Sequence, residues 1–141
     1  KERRMIATLI LPLLAQSAQP PVPGWNCGDP QVQAEMNWCA GQDYARADAA
    51  LNAQWAITAA VMKQRDIEWA ALGSADTRPG FFKSLLEGQR AWLRYRDAQC
   101  RVDGYAARGG SLEPLLVATC KARLTQARTQ QLKDLIAQSD G

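Results

Sequence analysis

Two cysteines placed almost symmetrically about a glycine pair constrain the fold of this chain more than any other feature. Cys100 and Cys120 lie nearly equidistant from Gly109 and Gly110, inside a stretch whose flanks have helical patterns. If both flanks are helices, they run antiparallel and the two sulfurs meet at the same height of the hairpin. The spacing therefore predicts a helical hairpin closed by a disulfide, which requires an oxidising compartment.

The first 18 residues are organised like a secretory signal peptide. Residues 1–4 are basic overall, residues 5–14 form an apolar run, and residues 15–18 supply the small side chains of a cleavage site. The apolar run is shorter than the roughly 20 residues that a membrane-spanning helix needs, so a retained membrane anchor is the less favoured alternative. We therefore predict a signal peptide at 1–18 and a secreted or periplasmic protein with no membrane span in its mature form.

The net charge of the mature chain argues against two classes of partner. Removal of Lys1, Glu2, Arg3 and Arg4 from the 17 basic and 14 acidic residues leaves 14 and 13, a net charge of +1. Proteins that bind nucleic acid or an anionic membrane surface carry a strong basic patch. The composition therefore predicts neither as a partner, and it does not define the oligomeric state.

All four cysteines lie in the predicted exported part, and their even number indicates two disulfides. A zinc site is disfavoured because the spacings are wide and the chain has no histidine. We favour the pairs Cys27–Cys39 and Cys100–Cys120. Cross-pairing between the N-terminal pair and the hairpin stays open, because connectivity does not follow from sequence alone.

Three helical patterns follow a Pro/Gly-rich segment at residues 19–30. Asp29 is a candidate N-cap and Pro30 suits the first helical position, so we expect the first helix to begin there and to end before the polar residues 73–80. The second helix is expected from about 81 to about 105, and the third after Ser111.

The positions expected to face inward recur at steps of three and four residues. They are Met36, Ala40, Tyr44, Ala47, Leu51, Trp55, Thr58 and Met62 in the first helix, Phe82, Leu85, Leu86, Gln89, Trp92, Leu93, Arg96 and Cys100 in the second, and Leu116, Cys120, Leu124, Ala127, Leu132, Leu135 and Ile136 in the third. No strand pattern appears. We predict an all-α domain over residues 27–138, an up-down-up bundle of three antiparallel helices stapled by two disulfides.

The chain lacks the residues that several common kinds of catalysis require. Without histidine, the commonest general base is missing. There is no Gly-rich phosphate loop, no serine in a nucleophile-elbow context and no cluster with metal-ligand spacing. Cysteines paired in disulfides provide no thiolate nucleophile. We therefore predict that the protein is not an enzyme, with no metal and no cofactor.

Six side chains on or beside the inward faces form the candidate site. They are Asp48, Asn52, Gln89, Trp92, Arg96 and Arg128. In one interpretation they make an interhelical network, in which Asp48 accepts hydrogen bonds from Arg96 or Arg128 and the two amides complete the set. In the other they form a ligand or partner site, because Trp and Arg are frequent hot-spot residues. We favour the network.

Trp25, in the Pro/Gly-rich segment, also has two interpretations. Exposed, it would be an aromatic anchor for a partner; covered, it would pack over the bridge formed by Cys27. We favour packing.

The order and spacing of these residues resemble the LprI-type lysozyme-inhibitor N-terminal domain, a family of secreted bacterial domains that are helical and cysteine-bridged. The resemblance covers residues 27–135 and rests on EMNWCAGQDYARADAALNAQW, QRAWLRYRDAQC, GGS and CKARLTQAR. The matching positions are Glu35, Met36, Asn37, Cys39, Tyr44, Asp48, Leu51, Asn52, Gln89, Trp92, Arg96, Asp97, Cys100, Gly110, Ser111, Cys120, Thr125 and Arg128. Trp55 stands where the family usually has Tyr.

This resemblance implies a periplasmic protein that inhibits a lysozyme, a muramidase, through a protein–protein surface. The chain departs from the lipoprotein namesake because no cysteine lies at the end of the apolar run. Its net charge of +1 also differs from what inhibition of an animal-type lysozyme would suggest. Such lysozymes are strongly basic, so an inhibitor that binds them quickly is expected to be acidic. The alternative function is a non-inhibitory cell-envelope module that binds another periplasmic protein, peptidoglycan or a small ligand.

Overall fold

Three long helices and one short helical turn make up the computed structural model, which describes residues 24–137. Their bounds are Gln33–Ala71 for α1, Phe81–Gly104 for α2 and Glu113–Ala137 for α3, with a 3-10 turn at Tyr105–Ala107 after α2. No strand occurs in the described range. The predicted signal peptide at 1–18, part of the Pro/Gly-rich segment and the last four residues of the chain lie outside it.

The up-down-up arrangement places α1 and α3 side by side in the same direction. Asn37 Nδ2 donates to the carbonyl oxygen of Ser111 at 3.0 Å, and Thr58 Oγ1 donates to that of Leu132 at 3.1 Å. Both pairs are 74 residues apart in sequence, so the two helices keep one parallel register over about six turns. α2 runs back antiparallel to both and packs on both. The predicted fold class is confirmed.

Both predicted disulfides are present, and no described cysteine is free. The Cα atoms are 5.5 Å apart in Cys27–Cys39 and 5.4 Å apart in Cys100–Cys120, within the usual range for such bridges. The first bridge folds the N-terminal segment back along α1, and the second joins α2 to α3. This pairing rules out the cross-pairing that the sequence left open.

The buried apolar core is built from all three helices. Its most buried members are Leu51, Met62, Leu85 and Leu132, with Trp55, Phe82, Trp92 and Ile136 packed against them. The inward faces predicted for α1 and α2 are covered as expected, apart from the partly exposed Leu93.

The inward face predicted for α3 was partly wrong. Ala127 and Leu135 are exposed, whereas Thr125 and Thr129 are buried against the rest of the bundle. A threonine hydroxyl can be buried in a helix at little cost when it bonds a carbonyl one turn earlier, as Thr129 Oγ1 does to the Thr125 oxygen at 3.0 Å. The sequence pattern counted apolar residues only and therefore missed these two positions.

Thr125 differs from its neighbour because its hydroxyl has no hydrogen-bond partner among the described residues, although the side chain is fully buried. An unpaired buried hydroxyl costs about 1–3 kcal/mol. We expect Thr125→Val, which keeps the shape and removes the hydroxyl, to raise the free energy of unfolding by about 1 kcal/mol in urea titrations. Thr129→Val is the matched control and should not stabilise, since its hydroxyl is bonded. A destabilised Thr125→Val variant would show that this hydroxyl is satisfied.

The predicted start of the first helix was also wrong. α1 begins at Gln33, with Val32 at the N-cap position and no side-chain cap, rather than at Pro30 with Asp29 as its cap. The reason lies in Glu35, whose buried carboxylate accepts hydrogen bonds from the backbone N–H of Asn26 at 2.6 Å and of Gln31 at 2.7 Å. These bonds hold the residues before α1 in a turn that brings Cys27 over the helix.

The same bonds make stability depend on pH. Hydrogen bonds from the backbone N–H of Gln31 and then of Asn26 lower the pKa of Glu35. A carboxylate with a lowered folded pKa stabilises the fold above its unfolded pKa of about 4.3, and this stabilisation is lost as the pH falls through the folded pKa. We expect Glu35→Gln to have a lower melting temperature than the wild type at pH 7. The difference in melting temperature should become smaller below about pH 4.

Thermal melts at a series of pH values measure this difference. Glu68→Gln is the matched control, because Glu68 is exposed and accepts a hydrogen bond from Gln64 on its own helix. A difference in melting temperature between Glu35→Gln and the wild type that stays constant from pH 7 to pH 3 would contradict this role of the Glu35 carboxylate.

The two connections define the two ends of the bundle. Residues 72–80 join α1 to α2, and the carboxylate of Asp66 caps the start of α2 by accepting the N–H groups of Phe81 at 2.6 Å and Phe82 at 3.0 Å. At the opposite end Gly109 turns the chain with φ of 78°, a conformation that favours glycine. Both disulfides lie toward this second end, as the Asn37–Ser111 hydrogen bond shows.

Candidate functional site

Arg96 is the centre of the largest polar cluster between the helices. Its side chain is 7% exposed, and its Nη1 lies 3.4 Å from Asp48 Oδ1 on α1 while its Nε donates to Asp97 Oδ1 at 3.0 Å. The guanidinium also lies 5.4 Å from the ring centre of Tyr44 and 5.2 Å from that of Trp92, within cation–π range. We call Tyr44, Asp48, Trp92, Arg96, Asp97 and Lys121 the Arg96 cluster.

Lys121 extends the Arg96 cluster onto α3. Its Nζ lies 3.5 Å from Asp97 Oδ1 and 5.6 Å from the ring centre of Tyr44. All three helices therefore contribute a charge or a ring, which fixes their relative rotation.

The ionisable groups of the cluster influence one another. Burial alone raises the pKa of Asp97, but the hydrogen bond from Arg96 and the charges of Arg96 and Lys121 outweigh it, so the pKa is lowered overall. Burial raises the pKa of Tyr44, and the positive charge of Arg96 opposes that rise. The lowered pKa keeps Asp97 ionised at neutral pH, and the raised pKa keeps Tyr44 a neutral phenol.

The six predicted site residues form two groups rather than one. Asp48, Trp92 and Arg96 belong to the Arg96 cluster, and Asn52 joins at its edge, where its Nδ2 donates to Asp48 Oδ2 at 3.1 Å. The other group is a separate pair.

This second pair joins α2 to α3 nearer the middle of the bundle. Arg128 Nε donates to Gln89 Oε1 at 2.9 Å, and its Nη1 donates to Gln131 Oε1 at 3.1 Å. Of the two arginines proposed as donors to Asp48, Arg96 lies within hydrogen-bond distance of it, whereas the bonds described for Arg128 go to Gln89 and Gln131. Burial lowers the pKa of Arg128.

Three members of the Arg96 cluster were not among the predicted site residues. Tyr44 and Asp97 were matched by the family pattern, but the argument from helix faces did not connect them to Arg96. Lys121 was missed altogether. The sequence did contain an indication of its position. Asp97 precedes Cys100 by one helical turn and Lys121 directly follows Cys120. The predicted disulfide therefore brings this acidic and this basic side chain close together.

Trp25 packs on another aromatic ring. Its ring centre lies 5.8 Å from that of Trp38 with an interplanar angle of 68°, an edge-to-face contact. Both rings are half-buried beside the first disulfide. The favoured packing interpretation agrees with this geometry.

The end of the bundle formed by the α1–α2 connection exposes several large apolar side chains. Ile67 is 64% exposed and Leu72 76%, while Trp69 and Phe81 are 45% and 41% exposed and touch edge to face at 6.4 Å. We call Ile67, Trp69, Leu72, Asp76, Arg78 and Phe81 the connection end. Exposed apolar side chains that cluster in this way are typical of interaction surfaces.

A groove opens beside the connection end. It encloses about 980 Å³ between the last turns of α1, the connection, the start of α2 and α3. Its lining residues are Met62, Arg65, Trp69, Asp76, Arg78, Pro79, Gly80, Phe81, Ser84, Leu85, Gly88, Arg128 and Leu135.

The sequence model of one family, described as "Lysozyme inhibitor LprI", matches residues 26–132 of this chain. That range contains both disulfides, the Arg96 cluster and the connection end. The chain belongs to the LprI lysozyme inhibitor family.

A further LprI-like chain supports the assignment. The uncharacterised protein R02472 of Rhizobium meliloti (strain 1021) is 43% identical over 125 residues, which cover 88% of this chain and 86% of that protein. No solved structure matches this LprI family chain. Within residues 24–137, none of its helices combines the length and the apolar character needed to cross a membrane.

Proposed function

We propose that this protein is exported and that it binds and inhibits a lysozyme through the connection end. The observation that carries the proposal is the match of residues 26–132 to a family described as a lysozyme inhibitor. Within residues 24–137 the large features are surfaces and interhelical contacts, which suit binding rather than catalysis.

Two observations support an exported location. The bridges Cys27–Cys39 and Cys100–Cys120 persist only in an oxidising compartment such as the bacterial periplasm or the cell exterior. The residues at 1–18 have the sequence organisation of a signal peptide.

The connection end is the surface that best suits an enzyme cleft. It lies at the tip of the bundle, and it combines exposed aliphatic side chains with aromatic ones, of which tryptophan is a frequent hot-spot residue at protein interfaces. It also carries Asp76, whose pKa the hydrogen bonds from the Arg78 side chain and backbone lower to about 2, so the carboxylate is ionised at any physiological pH. A protrusion with these groups can enter a saccharide-binding cleft.

The solvent face of α2 is a poorer choice for a basic lysozyme. Arg90, Arg94 and Arg101 are all exposed along this helix, and none forms an ion pair with a described residue. A row of unpaired cations repels a strongly basic enzyme.

Direct binding measurements test the proposal and its surface together. The oxidised mature protein is immobilised and exposed to a c-type, a g-type and a bacterial muramidase. We expect micromolar or tighter binding to at least one of them. Leu72→Glu and Ile67→Glu should weaken it by about tenfold or more, because each places a charge in the buried centre of the interface.

Tyr95→Glu is the matched control, since Tyr95 is also an exposed large side chain, 55% accessible, but lies on the solvent face of α2. It should change the affinity by less than about twofold. Absence of binding to all three enzyme classes would overturn the proposed function, and equal losses in the control would overturn the assigned surface.

The groove beside the connection end favours a second candidate. A concave site of about 980 Å³ is what a non-inhibitory envelope module needs to bind a small ligand. In that case the protein would retain its fold and its groove and show no effect on any muramidase.

A further inference from the structure

The groove beside the connection end has apolar walls around a cation. Met62 and Leu85 come from the buried core, and Trp69, Phe81 and Leu135 form the rim. Arg128 reaches the same space from α3. Its volume of about 980 Å³ lies at the upper end of the range of small-molecule sites.

Arg128 has only neutral partners in the described part of the chain. Its Nε and Nη1 donate to the side-chain oxygens of Gln89 and Gln131, and it forms no ion pair with a described carboxylate. Its guanidinium has five N–H donors, and these two bonds use two of them. A partly buried cation without an opposite charge is costly, and an anion in the groove would offset that cost.

The groove offers no competing carboxylate of its own among the described lining residues. The single acid in the lining is Asp76, and it is held by Arg78, which donates from Nε at 2.9 Å and from Nη2 at 2.6 Å. Asp76 therefore pairs with Arg78 and forms no ion pair with Arg128 in the part of the chain that the structure describes.

We infer that the groove binds a small amphiphilic carboxylate, whose head group lies on Arg128 and whose apolar chain lies between Met62, Leu85 and the aromatic rim. Charge complementarity selects the head group, because a planar guanidinium can take a carboxylate with two parallel hydrogen bonds. The apolar walls select the chain, since they remove it from water. The volume of about 980 Å³ is in the range of small-molecule sites, which favours a small molecule over a segment of another protein.

This site shares Trp69, Asp76, Arg78 and Phe81 with the surface proposed for lysozyme, but the residues that test the two proposals are different. Leu72 and Ile67, which test the lysozyme interface, do not line the groove, and Arg128 does not belong to the connection end. Failure of one experiment therefore leaves the other interpretable.

Decanoate and decanol provide a matched pair of probes, because they share the apolar chain and differ in the carboxylate. The oxidised wild-type protein, labelled with nitrogen-15, is titrated with each while backbone amide shifts are recorded. We expect saturable shifts at groove residues, including Leu85 and Gly88, below about 1 mM decanoate. Decanol should bind about tenfold more weakly, since it makes no charge-assisted hydrogen bond.

Two variants locate the site, and a third is the control. Arg128→Gln should lower decanoate affinity by about tenfold and leave decanol affinity unchanged. Ser84→Trp, at an exposed lining position of α2, should block both probes. Arg101→Gln removes an exposed arginine of α2 that does not line the groove, and it should keep wild-type affinity for both probes.

Several outcomes would overturn the inference. These are equal affinity for decanoate and decanol, wild-type decanoate affinity in a folded Arg128→Gln variant, and shifts that avoid the groove or never saturate. If Arg128→Gln does not fold, the comparison of the two probes on the wild type and the Ser84→Trp variant decide the question.

Discussion

Replacing Cys100 and Cys120 together by alanine should lower the free energy of unfolding by about 3–5 kcal/mol. The bridge spans 20 residues of sequence, and loop closure of that size accounts for about 3 kcal/mol. Both sulfurs are buried between α2 and α3, so their loss also leaves unfilled volume. For a domain of this size the melting temperature should fall by about 10–20 °C, measured by circular dichroism under non-reducing conditions.

Alanine at both Cys27 and Cys39 is the matched control. This bridge closes a shorter stretch of 12 residues and ties down a terminal segment that Glu35 and the Trp25–Trp38 contact also hold. Its removal should lower the melting temperature by less than half as much as removal of the Cys100–Cys120 bridge. If the variant without the Cys100–Cys120 bridge melted within about 2 °C of the wild type, the hairpin staple would not be a source of stability.

Arg96→Met should destabilise the protein by about 2–4 kcal/mol in urea titrations at pH 7. Methionine fills similar space but leaves Asp48 and Asp97 without their shared cation and ends both ring contacts. These carboxylates are 40% and 52% exposed, so water compensates part of the loss. The effect is therefore smaller than that of breaking a fully buried ion pair.

The pH dependence separates charge from packing in this variant. Asp97 has a lowered pKa in the fold, so its interaction with Arg96 stabilises above the unfolded pKa of about 3.9 and is lost as the pH falls below it. The difference in the free energy of unfolding between Arg96→Met and the wild type should therefore become smaller toward pH 3. Arg94→Met, at an exposed position two residues away on another face of the same helix, should change stability by less than about 0.5 kcal/mol.

The result for Arg96→Met also decides between the two interpretations of the Arg96 cluster. Loss of stability supports a network that fixes helix rotation. Unchanged melting together with lost binding to a muramidase would instead make Arg96 part of a binding site.

The fold could be predicted because the sequence features that specify it are either local along the chain or placed symmetrically about a loop. Glycines, prolines and apolar spacing located the three helices, and the position of Cys100 and Cys120 about the second loop gave the hairpin. The start of α1 was missed because a capping rule considers neighbours in sequence, whereas Glu35 bonds Asn26 nine residues away. Thr125 and Thr129 of α3 were missed because the pattern for that helix counted apolar residues only, and only the Thr129 hydroxyl is satisfied within its own helix.

The candidate site was harder to predict than the fold. Helix faces placed Asp48 and Arg96 inward, but whether Arg96 or Arg128 pairs with Asp48 depends on axial position, which the sequence does not specify to within one turn. The connection end was not predicted at all. It exists because α1 continues to Ala71, so that Ile67, Trp69 and Leu72 follow its last buried residue, Met62.

The central claim, that this protein inhibits a lysozyme by binding it, is tested most directly by titrating muramidase activity on a turbid cell-wall suspension with the oxidised mature protein. The account predicts that activity of at least one of the c-type, g-type and bacterial enzymes falls linearly to a break at a fixed molar ratio. Full activity of all three enzymes at a tenfold molar excess of micromolar protein would contradict it.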